Sequence, residues 1–258
     1  KRVLRGVSVL ALAALLLAAL LVPAAAQGNQ AETGPLTILF THDTHDHFLP
    51  APAEGGGEYG GYTRLASLLR QERAAASAPM VTLDAGDFSM GSLFQTIYAS
   101  DAPELRALGA MGYDVTTLGN HEFDYRSGGL ADMLTAAADS GSPLPALVQA
   151  NYKPPAAATA AWTAWNRYGV TDYVVLERDG LRIAVFGVLG VDADECAPMS
   201  GMEFTPIADA AKRVVADIQN SGGADYIICL SHSGTENGKG EDYELARAVG
   251  GIDVIISG

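Results

Sequence analysis

Leu36-Thr37-Ile38-Leu39-Phe40-Thr41-His42-Asp43-Thr44-His45-Asp46-His47 is the stretch on which the reading of this chain turns. Its apolar first half, Leu36–Thr41, has the composition of a strand. The run then ends in a burst of histidines and aspartates. If the strand continues, Asp43 and His45 point the same way, because side chains two apart share a face. A carboxylate oxygen and an imidazole nitrogen would then meet one metal ion. Alone, this cluster would read as a polar loop.

Three further strand ends carry the same kind of residue. Asp84-Ala85-Gly86-Asp87 follows the apolar run Met80–Leu83, and a carboxylate preceded by glycine can approach two cations and bridge them. Gly119-Asn120-His121-Glu122-Phe123-Asp124 follows Asp114–Leu118. Asn120 offers a neutral carbonyl oxygen suited to hard or borderline cations. His121 comes next in the chain and is expected to point elsewhere, towards substrate. Asp124 can reach back one helical turn and hold that imidazole in one tautomer. Ser231-His232-Ser233-Gly234 follows Tyr226–Leu230 and adds another imidazole. Four separate strands with a ligand-type residue at the C-terminal end match the place where open α/β sheets build binding sites. The donors are oxygen and nitrogen, which suits Mn, Zn, Fe or Mg without choosing among them.

Working outward, Ala146–Gln149, Tyr173–Glu177, Arg182–Val188 and Asp253–Ile256 read as further strands. Asp179-Gly180 between two of them predicts a hairpin turn. Tyr62–Ala75, Gly129–Ala138, Ile207–Gln219 and Tyr243–Val249 read as helices, the third opening at Thr205-Pro206 as N-cap and first-turn proline. This alternation predicts an α/β sheet protein. The glycine-rich stretch Glu54–Gly61 lacks the Gly-Lys-Ser/Thr ending of a phosphate-cradling loop and is expected to be a rim of the site. Lys153–Asn166 reads as a surface excursion.

Composition narrows the function. The chain has 258 residues, 48% of them hydrophobic and 18% charged, which excludes a disordered protein. A net charge of −14 argues against a nucleic-acid polymer or an anionic membrane surface as partner. Two cysteines cannot supply a four-thiolate zinc site. Cys229 lies in an apolar strand and Cys196 in an acidic loop, and spacing leaves their pairing open. At the N-terminus, Lys1, Arg2 and Arg5 precede an apolar run from Val7 to Val22, and Ala24-Ala25-Ala26 follows. This is the layout of a secretory signal over residues 1–26, with a retained membrane anchor as the alternative. Residues 27–35 then form a linker to a domain over residues 36–258, which would be periplasmic, secreted or at the cell surface.

Asp43-x-His45, Gly86-Asp87, Gly119-Asn120-His121-Glu122 and Ser231-His232 together resemble the calcineurin-like metallophosphoesterases. Thr41–His45, Asn120–Asp124 and Gln149-Ala150-Asn151 look like the exported 5′-nucleotidase and UDP-sugar hydrolase branch. The resemblance implies a four-layer α/β/β/α sandwich with two mixed sheets and a site for two divalent metal ions. Asp43 and His45 would hold one ion, Asp87 would bridge, and Asn120 and His232 would hold the other. His121 would be the catalytic imidazole, oriented by Asp124. The family usually has Asn where His42 stands and Gly where Asp46 stands. It also continues beyond the strand at Asp253–Gly258 with Gly-His-x-His, which completes both metal sites, and with a C-terminal domain that grips the nucleoside. The domain seen here is therefore expected to be C-terminally incomplete and, by itself, poorly active.

The expected activity is release of phosphate from nucleotides by a hydroxide generated between two cations. Within the enzyme class, the alternatives are hydrolysis of 2′,3′-cyclic nucleotides or 3′-nucleotides, or of UDP-sugars. From a different class, a non-catalytic metal-binding surface protein could retain the fold.

Overall fold

The computed structural model describes residues 34–156 and 159–258; the proposed signal segment lies outside them. In chain order the strands are β1 (Thr37–Thr41), β2 (Ala51–Pro52), β3 (Glu58–Tyr59), β4 (Met80–Asp84), β5 (Val115–Thr116) and β6 (Ala146–Leu147). They continue with β7 (Tyr152–Lys153), β8 (Tyr173–Arg178), β9 (Leu181–Leu189), β10 (Glu203–Phe204), β11 (Tyr226–His232) and β12 (Val254–Ser257). The helices are α1 (Tyr62–Ala75), α2 (Tyr98–Asp101), α3 (Pro103–Met111), α4 (Arg126–Asp139), α5 (Ala160–Tyr168), α6 (Val191–Cys196), α7 (Ile207–Asn220) and α8 (Glu241–Ala248).

Two four-stranded sheets form the centre. One is ordered β1-β4-β5-β6 and is parallel throughout. The other is ordered β12-β11-β9-β8, parallel except for β8, which pairs antiparallel with β9. The β8–β9 hairpin turns through Asp179 and Gly180, both at positive φ (49° and 88°), as the Asp-Gly pair predicts.

Side-chain alternation stacks the layers. Val81, Leu83 and Val115 of the first sheet meet Ile183, Val185, Ile228 and Leu230 of the second in one buried cluster. The opposite parity of the second sheet, Ala184, Phe186, Val188, Ile227 and Cys229, packs against Ile207, Ala211, Val214 and Ile218 of α7. On the outside of the first sheet lie Leu105 and Leu108 of α3, Leu130 and Leu134 of α4, and Trp165 of α5. The result is helix, sheet, sheet, helix, as the resemblance implies. Strands buried on both faces read as nearly continuous apolar runs, which is why β9 and β11 were legible.

Two local expectations are corrected, and two open points are filled in. The excursion at Lys153–Asn166 contains α5, capped by the Thr159 hydroxyl, with Ala161, Ala164 and Trp165 buried. Its small residues let α5 pack closely on α4. Helix α7 begins at Ile207 behind Pro206, and no side chain caps it, so Thr205 is not its N-cap. Helix α3 has no counterpart among the helices expected from sequence; Pro103 opens it and Gly112, at φ 79°, closes it. Cys196 is exposed, Cys229 is buried, and both are free.

Candidate metal centre

Strand β1 stops at Thr41, so Asp43 and His45 do not share a strand face. They sit in a loop where Asp43, His45 and Asp46 all take positive φ, at 49°, 44° and 42°. That unusual backbone is held by the loop after β4. The amides of Asp43, His45 and Asp46 donate to the carbonyls of Gly86, Asp87 and Phe88 at 3.0, 3.0 and 2.8 Å. The sequence expectation reached the right neighbours by the wrong geometry. The side chains converge because two ligand-bearing loops are joined edge to edge.

Asp87, itself at φ 52°, lies at the middle. Its carboxylate Oδ2 is 3.3 Å from His232 Nε2 and 4.0 Å from His45 Nε2. His45 Nε2 is 3.7 Å from Asp43 Oδ1, and His232 Nε2 is 3.2 Å from Asn120 Oδ1. Two sets of donors therefore share Asp87: His45, Asp87 and His121 on one side, and Asp43, Asp87 and His232 on the other, each with ligand atoms within 4.8 Å of one another. Asp43 lies within reach of both His45 and His232, and His121 approaches the set containing His45. The His45 and His121 rings meet edge to face at 5.1 Å. Asp124 accepts from His121 Nδ1 at 2.9 Å, as its spacing predicts.

The remaining ring nitrogens are also fixed. His45 Nδ1 lies 3.0 Å from the Ser89 carbonyl and His232 Nδ1 lies 3.0 Å from the Ala85 carbonyl. Nδ1–H on each ring turns Nε2 towards Asp87, which is how second partners usually orient metal-binding imidazoles. His42 Nδ1 lies 2.6 Å from the other oxygen of Asp43. His47 is exposed and bonds the Thr44 carbonyl, outside both donor sets.

Two buried carboxylates near the site had no role assigned from sequence. Asp84, at the end of β4, accepts from the hydroxyls of Thr41 and Thr116 at 2.7 and 2.9 Å and from the Gly86 amide at 3.1 Å. Burial raises its pKa to about 6 against these bonds. Glu122 accepts from the amides of Asp87, Ser89 and Gly119 at 3.0, 3.0 and 2.6 Å, and from the Ser89 hydroxyl at 2.8 Å. Burial and the charge of Asp87 raise it to about 7. The signal for Glu122 was its position inside the motif, but only the fold shows the donors that surround it.

Electrostatics favour positive charge here. Burial alone would lower His232, yet its bond to Asp87 and the charges of Asp87 and Glu122 push it up to about 9. Burial alone would raise Asp87, yet His232 and the His121 amide hold it below the usual carboxylate range. A protonated His232 answers a concentration of buried anions, the duty a cation would take over. The donors are carboxylate and amide oxygens and imidazole nitrogens, a set that fits divalent Mn, Zn, Fe or Mg. Glycine permits the close approach. A Cβ at Gly119 would overlap Asp87 Oδ1 and the His232 ring, and one at Gly86, which is at φ 93°, would lie 2.7 Å from the Gly119 nitrogen.

The fold and the convergent donors define the class: an α/β/β/α sandwich with a candidate polynuclear metal site at its strand ends. The chain belongs to the calcineurin-like phosphoesterase family, whose model matches residues 36–258. It is similar to a probable 5′-nucleotidase of Treponema pallidum (strain Nichols), with 34% identity over 86% of this chain and 36% of that protein. The trifunctional nucleotide phosphoesterase protein YfkN of Bacillus subtilis (strain 168) is 31% identical over 86% of this chain and 16% of its own length. Among solved structures, a 5′-nucleotidase precursor from Thermus thermophilus superposes with a TM-score of 0.71, at 28% identity over 86% of this chain and 41% of that one. The chain thus spans well under half the length of these relatives.

Proposed function

We propose that this domain is the metal-binding, catalytic part of a nucleotide phosphoester hydrolase with 5′-nucleotidase activity. The observation that carries the reading is Asp87, a buried carboxylate shared by two donor sets. Asp43, His45, Asp87, Asn120 and His232 act as the protein ligands of two divalent cations. When bound, such ions offset phosphoryl charge and lower the pKa of water so that a nucleophile exists at neutral pH.

The chain's own contribution is orientation and proton delivery. His121 keeps Nδ1–H on Asp124, which leaves Nε2 to carry the transferable proton. Burial would lower the His121 pKa, but the Asp124 bond and the charges of Asp87, Asp124 and Glu122 raise it overall, which favours the imidazolium. As the phosphorus–oxygen bond breaks, the leaving oxygen takes this proton, and water supplies the oxygen that ends on phosphate. General acid help of this kind is worth about 10²–10⁴-fold. In the full-length protein, His121→Ala should lower phosphate release from a 5′-nucleotide by that factor. Unchanged release would reject the role given to His121.

The names of the relatives support a nucleotide as substrate, and YfkN, described as trifunctional, keeps more than one nucleotide phosphoester in view. A panel of 5′-, 3′- and 2′,3′-cyclic nucleotides and UDP-sugars separates them. Residues 1–26 act as an export signal in this reading, and residues 36–258 form the domain. Among the described residues no helix is long and apolar enough to cross a membrane. Sequencing the N-terminus of the mature protein tests the signal; a start at Lys1 or upstream of it would reject cleavage.

A further inference from the structure

We infer that Glu122 is a positioning residue that sets the ligands of both metals through the backbone, without touching either ion. The inference rests on the proposed metal centre. Glu122 is fully buried, and both of its oxygens are occupied by the four donors described above. Each gripped backbone unit leads directly to a ligand. The Asp87 amide belongs to the shared carboxylate. The Ser89 unit, held by both amide and hydroxyl, presents the carbonyl that bonds His45 Nδ1. Gly119 immediately precedes Asn120 in the chain. The residue before Glu122 closes the circuit, since the His121 amide donates to Asp87 Oδ1 at 2.9 Å.

Geometry explains why one carboxylate can do this. The loops after β4 and β5 run side by side, and four donors with no acceptor of their own point into the gap between them. A carboxylate accepts at both oxygens, whereas an amide of the same shape accepts at only one. In Glu122→Gln, the Oε1 side or the Oε2 side must therefore turn an NH2 towards backbone N–H groups. The side chain's volume is kept, but either the Ser89 contacts at Oε1 or the Asp87 and Gly119 contacts at Oε2 are lost. The ligands beside the lost contacts then lose their fixed positions, and Asp87 is no longer held so as to serve both donor sets.

The test uses the full-length protein, stripped of metal and titrated with Mn²⁺. Glu122→Gln should weaken Mn²⁺ binding by about 10–100-fold, the range typical of outer partners of metal ligands. Leu134→Ala, a buried change in α4 outside these loops, should lower thermal stability while leaving Mn²⁺ affinity within about 2-fold. Wild-type Mn²⁺ affinity in Glu122→Gln would overturn the inference. A second measurement needs no variant. In the metal-free wild type, the amides of Asp87, Ser89 and Gly119 should exchange with solvent as slowly as core strand amides. Exchange at the rate of the exposed Gly55–Gly57 loop would also overturn it. If the wild type bound no Mn²⁺, the proposed metal centre would fail, and the exchange measurement would still decide whether Glu122 holds the loops.

Discussion

Glu122 and Glu104 are both fully buried, and burial raises both, to about 7 and about 8. Their surroundings are opposite. Four donors converge on Glu122, while neither oxygen of Glu104 has a partner among the described residues. Asp46, whose oxygens are equally unpartnered, adds negative potential at Glu104. Burial and a raised pKa are therefore common to both glutamates and do not separate a site residue from a bystander. The donors do. A ring of N–H and O–H groups stabilises a buried anion, and a carboxyl without one avoids the cost of charge by keeping its proton.

The comparison can be broken at either glutamate. The largest effect belongs to Glu122→Ala, which strands four donors in the interior. Removing one partner of a buried charged network costs about 3–5 kcal/mol, measurable as a fall in the urea midpoint. A loss below about 1 kcal/mol would mean that the four donors find other acceptors.

Glu104→Gln should act in the opposite direction. The sign follows from linkage: with its folded pKa raised from 4.5 to about 8, Glu104 keeps its proton in the folded state while the unfolded chain loses it. Its contribution to stability therefore falls as pH rises from about 4.5 and levels off beyond about 8. The glutamine carries no such penalty. It should be close to neutral at pH 4 and stabilising by roughly 1–3 kcal/mol at pH 8. A variant equally affected at both pH values would show that Glu104 is ionised, or solvated, in the folded protein.

The contrast also marks how much could be read from the sequence. The strands of the two central sheets, the Asp-Gly hairpin and the proposed metal ligands announce themselves locally, because a buried parallel strand is a run of apolar residues and the ligands follow its end. Helix α5 did not, since its alanines look like filler until α4 supplies the surface they pack against. The positive φ angles of Asp43, His45 and Asp87 were hidden for a similar reason. They are imposed by hydrogen bonds between loops more than forty residues apart. Glu122 was visible as a motif letter and invisible as a brace, because three of its four donors are backbone amides, which every sequence contains. Glu104 lies in a helix that the sequence does not announce, and only the fold places it in the first turn of α3 and turns it inward.

The smallest expected effect concerns Asp46, the position where the resembling family usually carries glycine. Asp46 takes φ 42°, a conformation that glycine adopts at little cost. Asp46→Gly removes that cost and also removes a carboxylate whose charge raises Glu104. Each change favours the folded state, together by about 1 kcal/mol at pH 8. The electrostatic share disappears if Glu104 has already been replaced. Asp46→Gly should therefore gain less in the background of Glu104→Gln. The two substitutions form a double-mutant cycle, and a coupling of about 0.5 kcal/mol or more is the signature of direct interaction. Additivity would instead assign the whole gain to the backbone of Asp46 and leave Glu104 an isolated buried acid.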